Sequence, residues 1–210
     1  MNILTFDTAT DIMHVVLGNE AEITDSRIIK TTEQHYNSAF LVSTIADIVK
    51  NNLLSMQDIN LIGVNIGPGS FTGLRASVTV ARVIAQQLGI SAVGVPSMQI
   101  YSMLNTTDKK SFCLMDARRG MAFVGIYDEN SEPVLEPCIM ETEKALAMAK
   151  EADYFLITDD CIKDDTNAEK FGEFLWKLTV KNNKNSSWES LKPLYIQTPP
   201  VHVKIPSERK

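Results

Sequence analysis

Gly67-Pro68-Gly69-Ser70-Phe71-Thr72-Gly73-Leu74-Arg75 is the stretch on which the reading of this chain turns. It follows an apolar run, Leu61 to Ile66, that reads as a strand, and it opens a helical pattern from Thr72 to Leu88. Three glycines and a proline at a strand-to-helix junction call for backbone conformations that side chains forbid. Such a turn also aims free N–H groups above the sheet. The stretch is not a generic nucleotide loop. No lysine follows the last glycine, as a P-loop requires, and the spacing is not G-x-G-x-x-G. The plain alternative is a tight turn whose glycines let the helix pack close.

Outward from the loop, the element order repeats. Strands are expected at Asn2 to Thr8, Ile12 to Gly18 and Ala21 to Lys30, then a helix from about Tyr36 to Leu54 and the strand before the loop. A strand at Ser91 to Val95 and a short helix after Pro96 complete this half. Three strands recur at Phe112 to Asp116, Met121 to Tyr127 and Pro133 to Met140. A helix from about Thr142 to Ala152, a strand at Tyr154 to Thr158 and a helix from about Asn167 to Leu178 follow. The βββαβα order therefore appears twice, implying an α/β fold of two lobes, 1–105 and a smaller, degenerate 106–210, facing each other across a cleft. The polar run from Lys181 to Ser187 reads as a solvated loop. Each lobe's first strand ends in an aspartate at a hairpin, Asp7 and Asp116. Such a carboxylate orients a metal-bound water or a phosphate, or it caps its own turn.

At 210 residues, 44% hydrophobic and 22% charged, the composition is that of a globular protein. Three scattered cysteines (Cys113, Cys138, Cys161) suit a reducing compartment. With no leader pattern and no uninterrupted apolar span, a soluble, cytoplasmic protein is expected. A net charge of −6 with scattered basic residues argues against independent nucleic-acid binding.

Together the opening Ile3 to Thr8, the 67–75 loop, His35, Asp116-Ala117-Arg118 and Pro193-Leu194-Tyr195-Ile196 resemble the ASKHA superfamily of actin, sugar kinases and heat-shock chaperones. They are most similar to the bacterial TsaB family, also called YeaZ. The resemblance implies an actin-like ATPase (ribonuclease H-like) fold. It also implies a non-catalytic subunit that binds TsaD and supports threonylcarbamoyl transfer to adenosine 37 of tRNAs reading ANN codons (t6A synthesis). TsaC would supply threonylcarbamoyl-AMP and TsaE would serve as accessory ATPase, with tRNA bound only within the complex. A homodimer is expected when the partner is missing. The alternatives are a stand-alone ATPase or phosphotransferase, or a homodimeric regulatory module.

The residue chemistry favours the non-catalytic reading. The first hairpin, Asp7-Thr8-Ala9-Thr10, has no glycine to bend round a phosphate. The stretch Thr158 to Asp165, where an adenosine loop would fall, has no glycine and four aspartates. His14, His35 and His202 lack the paired spacing of the metal-binding histidines that the resemblance ascribes to TsaD. No cofactor is expected beyond weak ATP or ADP binding at the complex interface. A partner interface is expected at His35, Phe40, Leu41, Ile45, Ser70, Phe71, Thr72, Leu74, Arg75 and Val78. The first helix carries more apolar residues than one sheet can cover, and the small Ala76, Ser77 and Ala81 keep the second slim. A weak nucleotide or anion site is expected at Asp7, Gly67, Gly69, Gly73, Asp116 and Arg118. Arg75 would hold a partner's acidic group, a phosphate or a carboxylate of its own domain.

Overall fold

The computed structural model describes residues 1–10, 12–30 and 37–196. The first sheet contains β1 (Asn2–Asp7), β2 (Ile12–Gly18), β3 (Ile23–Lys30), β4 (Ile59–Gly67) and β5 (Ser91–Pro96) in the order β3-β2-β1-β4-β5. β1, β2 and β3 pair antiparallel, while β4 pairs parallel to both β1 and β5. The second sheet contains β6 (Ser111–Asp116), β7 (Met121–Tyr127), β8 (Pro133–Glu141) and β9 (Phe155–Thr158) in the order β8-β7-β6-β9. Its pairings repeat those of the first, antiparallel for β6/β7 and β7/β8 and parallel for β6/β9. The duplicated order thus becomes two sheets of one topology, an α/β fold of the ASKHA type, with four strands rather than five in the second sheet among the described residues.

Between the strands lie α1 (Leu41–Asn51), α2 (Phe71–Leu88), α3 (Ser97–Ser102), α4 (Thr142–Glu151), α5 (Asp159–Lys163) and α6 (Asp165–Lys181). Three cores stack in sequence. Leu4, Phe6, Ile62 and Val64 face α1 and α2, meeting Leu41, Ile45, Ile48, Val78 and Ala81. Ile3, Val16, Leu61 and Val93 face the other way, towards Phe171, Leu175 and Trp176 of α6 and Cys113, Tyr127 and Ile157 of the second sheet. Alternate residues of β1 and β4 therefore enter different cores, which is why these strands read as continuous apolar runs. The far face of the second sheet is covered by Ala145 and Ala149 of α4.

The middle core joins the two halves of the chain. α6, from the second half, lies on β1, β2, β4 and β5 of the first sheet. Gly63 makes this approach close, since a Cβ there would collide with Thr179 of α6. The chain then returns to the first lobe. Leu191 is buried in the α1/α2 core, Trp188 packs against it, and the Leu194 amide donates to the Ile66 carbonyl at 2.8 Å.

Several sequence expectations need correction. The first helix starts as a 3-10 turn, Asn37–Phe40, and stops at Asn51 because Leu53 takes a left-handed φ of 57°. The segment from Thr158 to Asp165 is not a loop. It forms α5 and the start of α6, since aspartates at a helix start favour its positive end. The run from Lys181 closes α6 and passes through a 3-10 turn, Asn183–Asn185. Its continuation to Leu194 is a packed strap, because Trp188 and Leu191 carry its apolar area into the core.

Candidate functional site

At the end of β4 the chain turns through Gly67, whose φ of 109° is open to glycine and strained for other residues. Ser70 caps α2, its Oγ accepting from the Gly73 amide at 3.4 Å. Gly69 to Thr72 are exposed, but the backbone of the loop is tied to the first hairpin. The Ser70 amide donates to the Ala9 carbonyl at 2.8 Å, and Thr8 Oγ1 donates to the Gly73 carbonyl at 2.8 Å. A Cβ on Gly69 would lie 2.9 Å from the Ala9 carbonyl oxygen, and one on Gly73 would overlap the Thr8 carbonyl. These glycines let the first hairpin and the helix start pack backbone against backbone.

Asp7 lies beneath this contact and is fully buried. Its Oδ1 accepts from the Ala9 amide (2.9 Å) and Asn65 Nδ2 (2.9 Å). Its Oδ2 accepts from the Thr10 amide (3.1 Å) and Thr10 Oγ1 (2.7 Å). Three N–H donors thus reach the carboxylate, while the single Thr10 hydroxyl proton is shared between it and the Ile12 carbonyl, also at 2.7 Å. Asn65 Oδ1 accepts from the Gly67 amide (2.8 Å) and lies 2.8 Å from Ser97 Oγ at the start of α3. Of the residues expected at a nucleotide or anion site, Asp7 caps its own turn, Gly69 and Gly73 pack against the first hairpin, and Gly67 turns the chain ahead of them.

The second hairpin repeats the cap without the enclosure. Asp116 Oδ1 accepts from the Arg118 amide at 2.7 Å, and the Asp116 amide donates to Asp159 Oδ2 at 2.7 Å. Asp116, Arg118 and Arg119 are exposed, and Arg118, Arg119 and Gly120 run through three successive left-handed positions (φ 66°, 55° and 74°). Neither arginine makes an ion pair with a described residue. A groove of about 640 Å³ lies between β5 and residues 182–195, and a smaller one of about 240 Å³ lies beside the 128–131 turn and α6. Neither is walled by the 67–75 loop or by either hairpin.

The expected interface residues separate into two groups. Leu41, Ile45, Leu74 and Val78 are buried in the chain's own core. They face the first sheet and each other, α1 lying on β2 and β3 and α2 on β4, β1 and β5. Ser77 and Ala81, the slim side of α2, are buried there too. Ser70, Phe71, Thr72 and Arg75 are exposed, and so is Phe40 on the turn that packs against α2. Phe40 is 49% exposed and Phe71 48%, and Val42, on the outward face of α1, is 63% exposed. The excess of apolar surface on and before α1 is thus present at Phe40 and Val42, and absent at Leu41 and Ile45. The Arg75 guanidinium carbon lies 5.2 Å from the centre of the Phe71 ring.

Sequence reasoning gave no role to Tyr195. It is half exposed, with its ring centre 5.8 Å from that of Phe71. The motif Pro193 to Ile196 was the available signal, but its position over α2 depends on the return of the strap. Among the other titratable groups, His14 is buried between β1 and α6, beside Phe171 and opposite Asp7. Burial holds its imidazole below the ordinary value, against the opposing pull of Asp7 and Glu169. Burial also pushes the Cys113 thiol and the Tyr127 phenol far up, leaving both neutral. His35 and His202 lie outside the described residues. Among the described residues no group of three His, Cys, Asp or Glu side chains has the placement of a metal site, and no helix is long and apolar enough to cross a membrane.

A family model described as "TsaD: tRNA N6-adenosine threonylcarbamoyltransferase" matches residues 29–175. The chain is similar to proteins named "tRNA threonylcarbamoyladenosine biosynthesis protein TsaB". Against that of Bacillus subtilis (strain 168) it is 28% identical over 158 residues, 73% of this chain and 68% of the relative. Against that of Escherichia coli (strain K12) it is 29% identical over 154 residues, 67% and 64% of the two lengths. Against that of Buchnera aphidicola subsp. Baizongia pistaciae (strain Bp) it is 25% identical over 219 residues, 97% and 96% of the two lengths. The fold matches that of YeaZ from Pseudomonas aeruginosa with a TM-score of 0.68 at 16% identity, over 92% of this chain and 99% of that one. With the family model spanning more than half of its length and relatives named TsaB at 25–29% identity, one of them matched over 96% of its length, the chain belongs to the TsaD family and, within it, to the TsaB/YeaZ group.

Proposed function

We propose that this chain serves tRNA threonylcarbamoyladenosine biosynthesis as a non-catalytic subunit that docks onto TsaD. The observation that carries the non-catalytic reading is the closure of the glycine loop. Its backbone is held by Thr8 and Ala9, and the carboxylate beneath it is buried and accepts from three N–H groups of the same chain. A loop in that state cannot wrap a phosphate without breaking these contacts. The family names of the relatives support the place in the pathway.

The docking reading rests on the outward sides of α1 and α2. Phe40, Val42, Ser70, Phe71, Thr72 and Arg75 form its contact residues, with apolar side chains that are half exposed or more. Such a face suits a helix pair of the partner, giving a four-helix contact. The lobes 1–105 and 106–210 are kept as the working division, with α6 and the strap as the parts that tie them together. Within this reading, TsaE and tRNA engage the assembled complex rather than this chain alone.

Reconstitution tests the proposal. TsaC, TsaD and TsaE are incubated with unmodified tRNA, threonine, bicarbonate and ATP, with and without this chain, and the modified adenosine is quantified by mass spectrometry. Modification should require the chain. Equal yields without it overturn the assignment, and brisk ATP turnover by the isolated chain would favour the phosphotransferase alternative.

A further inference from the structure

The aromatic surface around α2 is not built from the first half of the chain alone, and its Arg75 has no ion-pair partner among the described residues. We propose that residues 188–195 complete the docking face. In it Tyr195 is a positioning residue that holds Phe71 and Arg75, and Arg75 receives a carboxylate from the partner. The partner that fits is thus one that lays an apolar helix surface carrying an Asp or Glu onto α2. This rests on the docking reading above and adds to it the chemistry of the contact.

The strap is fixed at three points. Leu191 is buried in the α1/α2 core, Arg82 Nη1 donates to the Leu191 carbonyl at 2.7 Å, and the Leu194 amide donates to Ile66 at 2.8 Å. Tyr195 therefore leaves a clamped backbone, and its ring meets Phe71 in a tilted contact at 5.8 Å while remaining half exposed. Ring pairs of this geometry restrict each other's rotamers. Phe71 in turn lies under the Arg75 guanidinium. The three side chains form a chain of contacts from the strap to the cation.

The charge argues for an acidic partner group. The eighteen residues of α2 include Arg75 and Arg82 and no Asp or Glu. Arg82 is engaged with the strap, whereas Arg75 has no carboxylate partner among the described residues. The chain carries 26 acidic residues and a net charge of −6, yet none of the described ones makes an ion pair with Arg75. A guanidinium already held against a ring has lost part of its rotational freedom and water, so a carboxylate meets it at reduced entropic cost. A partner whose acidic group lay elsewhere would leave Arg75 unpaired under the contact, which favours one register.

The test uses the full chain and purified TsaD, with affinity measured by titration calorimetry at low and high salt. Arg75→Met keeps the apolar stem and should weaken binding about tenfold while flattening its salt dependence; Arg75→Glu should weaken it further. Tyr195→Ala should weaken binding about fivefold, and Tyr195→Phe should restore it because the ring contact is kept. Leu146→Asp, on the distant α4, should bind as the parent does. If the parent chain binds TsaD and Arg75→Met binds equally well with the same salt dependence, the charge contact is overturned. If Tyr195→Ala, or Tyr195→Leu should the alanine variant melt early, binds like the parent, the positioning role is overturned. If the parent chain itself fails to bind, the docking reading falls first.

Discussion

The two hairpins that open the two sheets share one local design and differ in everything around it. In each, an aspartate at the strand end caps the amide two residues on, Asp7 to Ala9 and Asp116 to Arg118. In the first sheet the cap is then roofed by a glycine loop, tied to Asn65 and removed from water. In the second sheet the corresponding place after β9 is taken by α5, whose Asp159 meets the Asp116 amide, and the hairpin stays exposed. Identical short-range chemistry has become structural in one copy and superficial in the other. What decides is whether a neighbouring backbone can come close enough, and only glycine allows that here.

The comparison is broken most severely at Gly73. Gly73→Ala drives a Cβ into the Thr8 carbonyl and should cost at least about 3 kcal/mol, read as a lowered urea midpoint. Gly120→Ala, where a Cβ would meet nothing, should cost only the left-handed backbone strain of about 1 kcal/mol. Equal effects would show that the roof over the first hairpin does not constrain it. Next in size is Asp7→Ala, which leaves Asn65 and two amides without their acceptor and should cost about 3 kcal/mol. The matching Asp116→Ala loses an exposed cap and should cost less than about 1 kcal/mol. Leu191→Ala, which removes the strap's buried anchor, should cost about 2 to 3 kcal/mol and open the partly buried Trp188 to acrylamide quenching.

The smallest effect concerns pH. His14 is held below its ordinary value of 6.5 by burial. On acidification the unfolded chain therefore binds a proton near 6.5, before the folded chain does. Stability should be unaffected by this group above that pH. It should fall as pH drops from there through the depressed folded value. His14→Gln should flatten that segment of the stability–pH curve in chemical melts, and an unchanged slope would show that α6 tolerates the charged ring.

Much of the fold was legible because its signals are local. The alternation and apolar runs of β1, β2, β6 and β7 and the i, i+4 pattern of α2 place those elements within a residue or two of where they lie. The repeat of the order foretold two sheets of one topology. The candidate site was legible in its components and not in its use. Leu41, Leu74 and Val78 look as adhesive in sequence as Phe40 and Val42, and nothing local says which of them the β1–β4 surface will cover. Tyr195 lies 124 residues from Phe71 in the chain, and no periodicity links them.

By itself, then, the sequence determined the order of elements, the duplicated topology and the turn that requires glycine, since each depends on backbone preferences spanning a few residues. Only the tertiary structure decided that the glycine loop is sealed by the first hairpin, that α6 and the strap cross to the first lobe, and that the outward face is Phe40, Phe71, Arg75 and Tyr195. Burial and hydrogen-bond saturation are properties of surfaces brought together from distant parts of the chain. No short stretch of residues contains them.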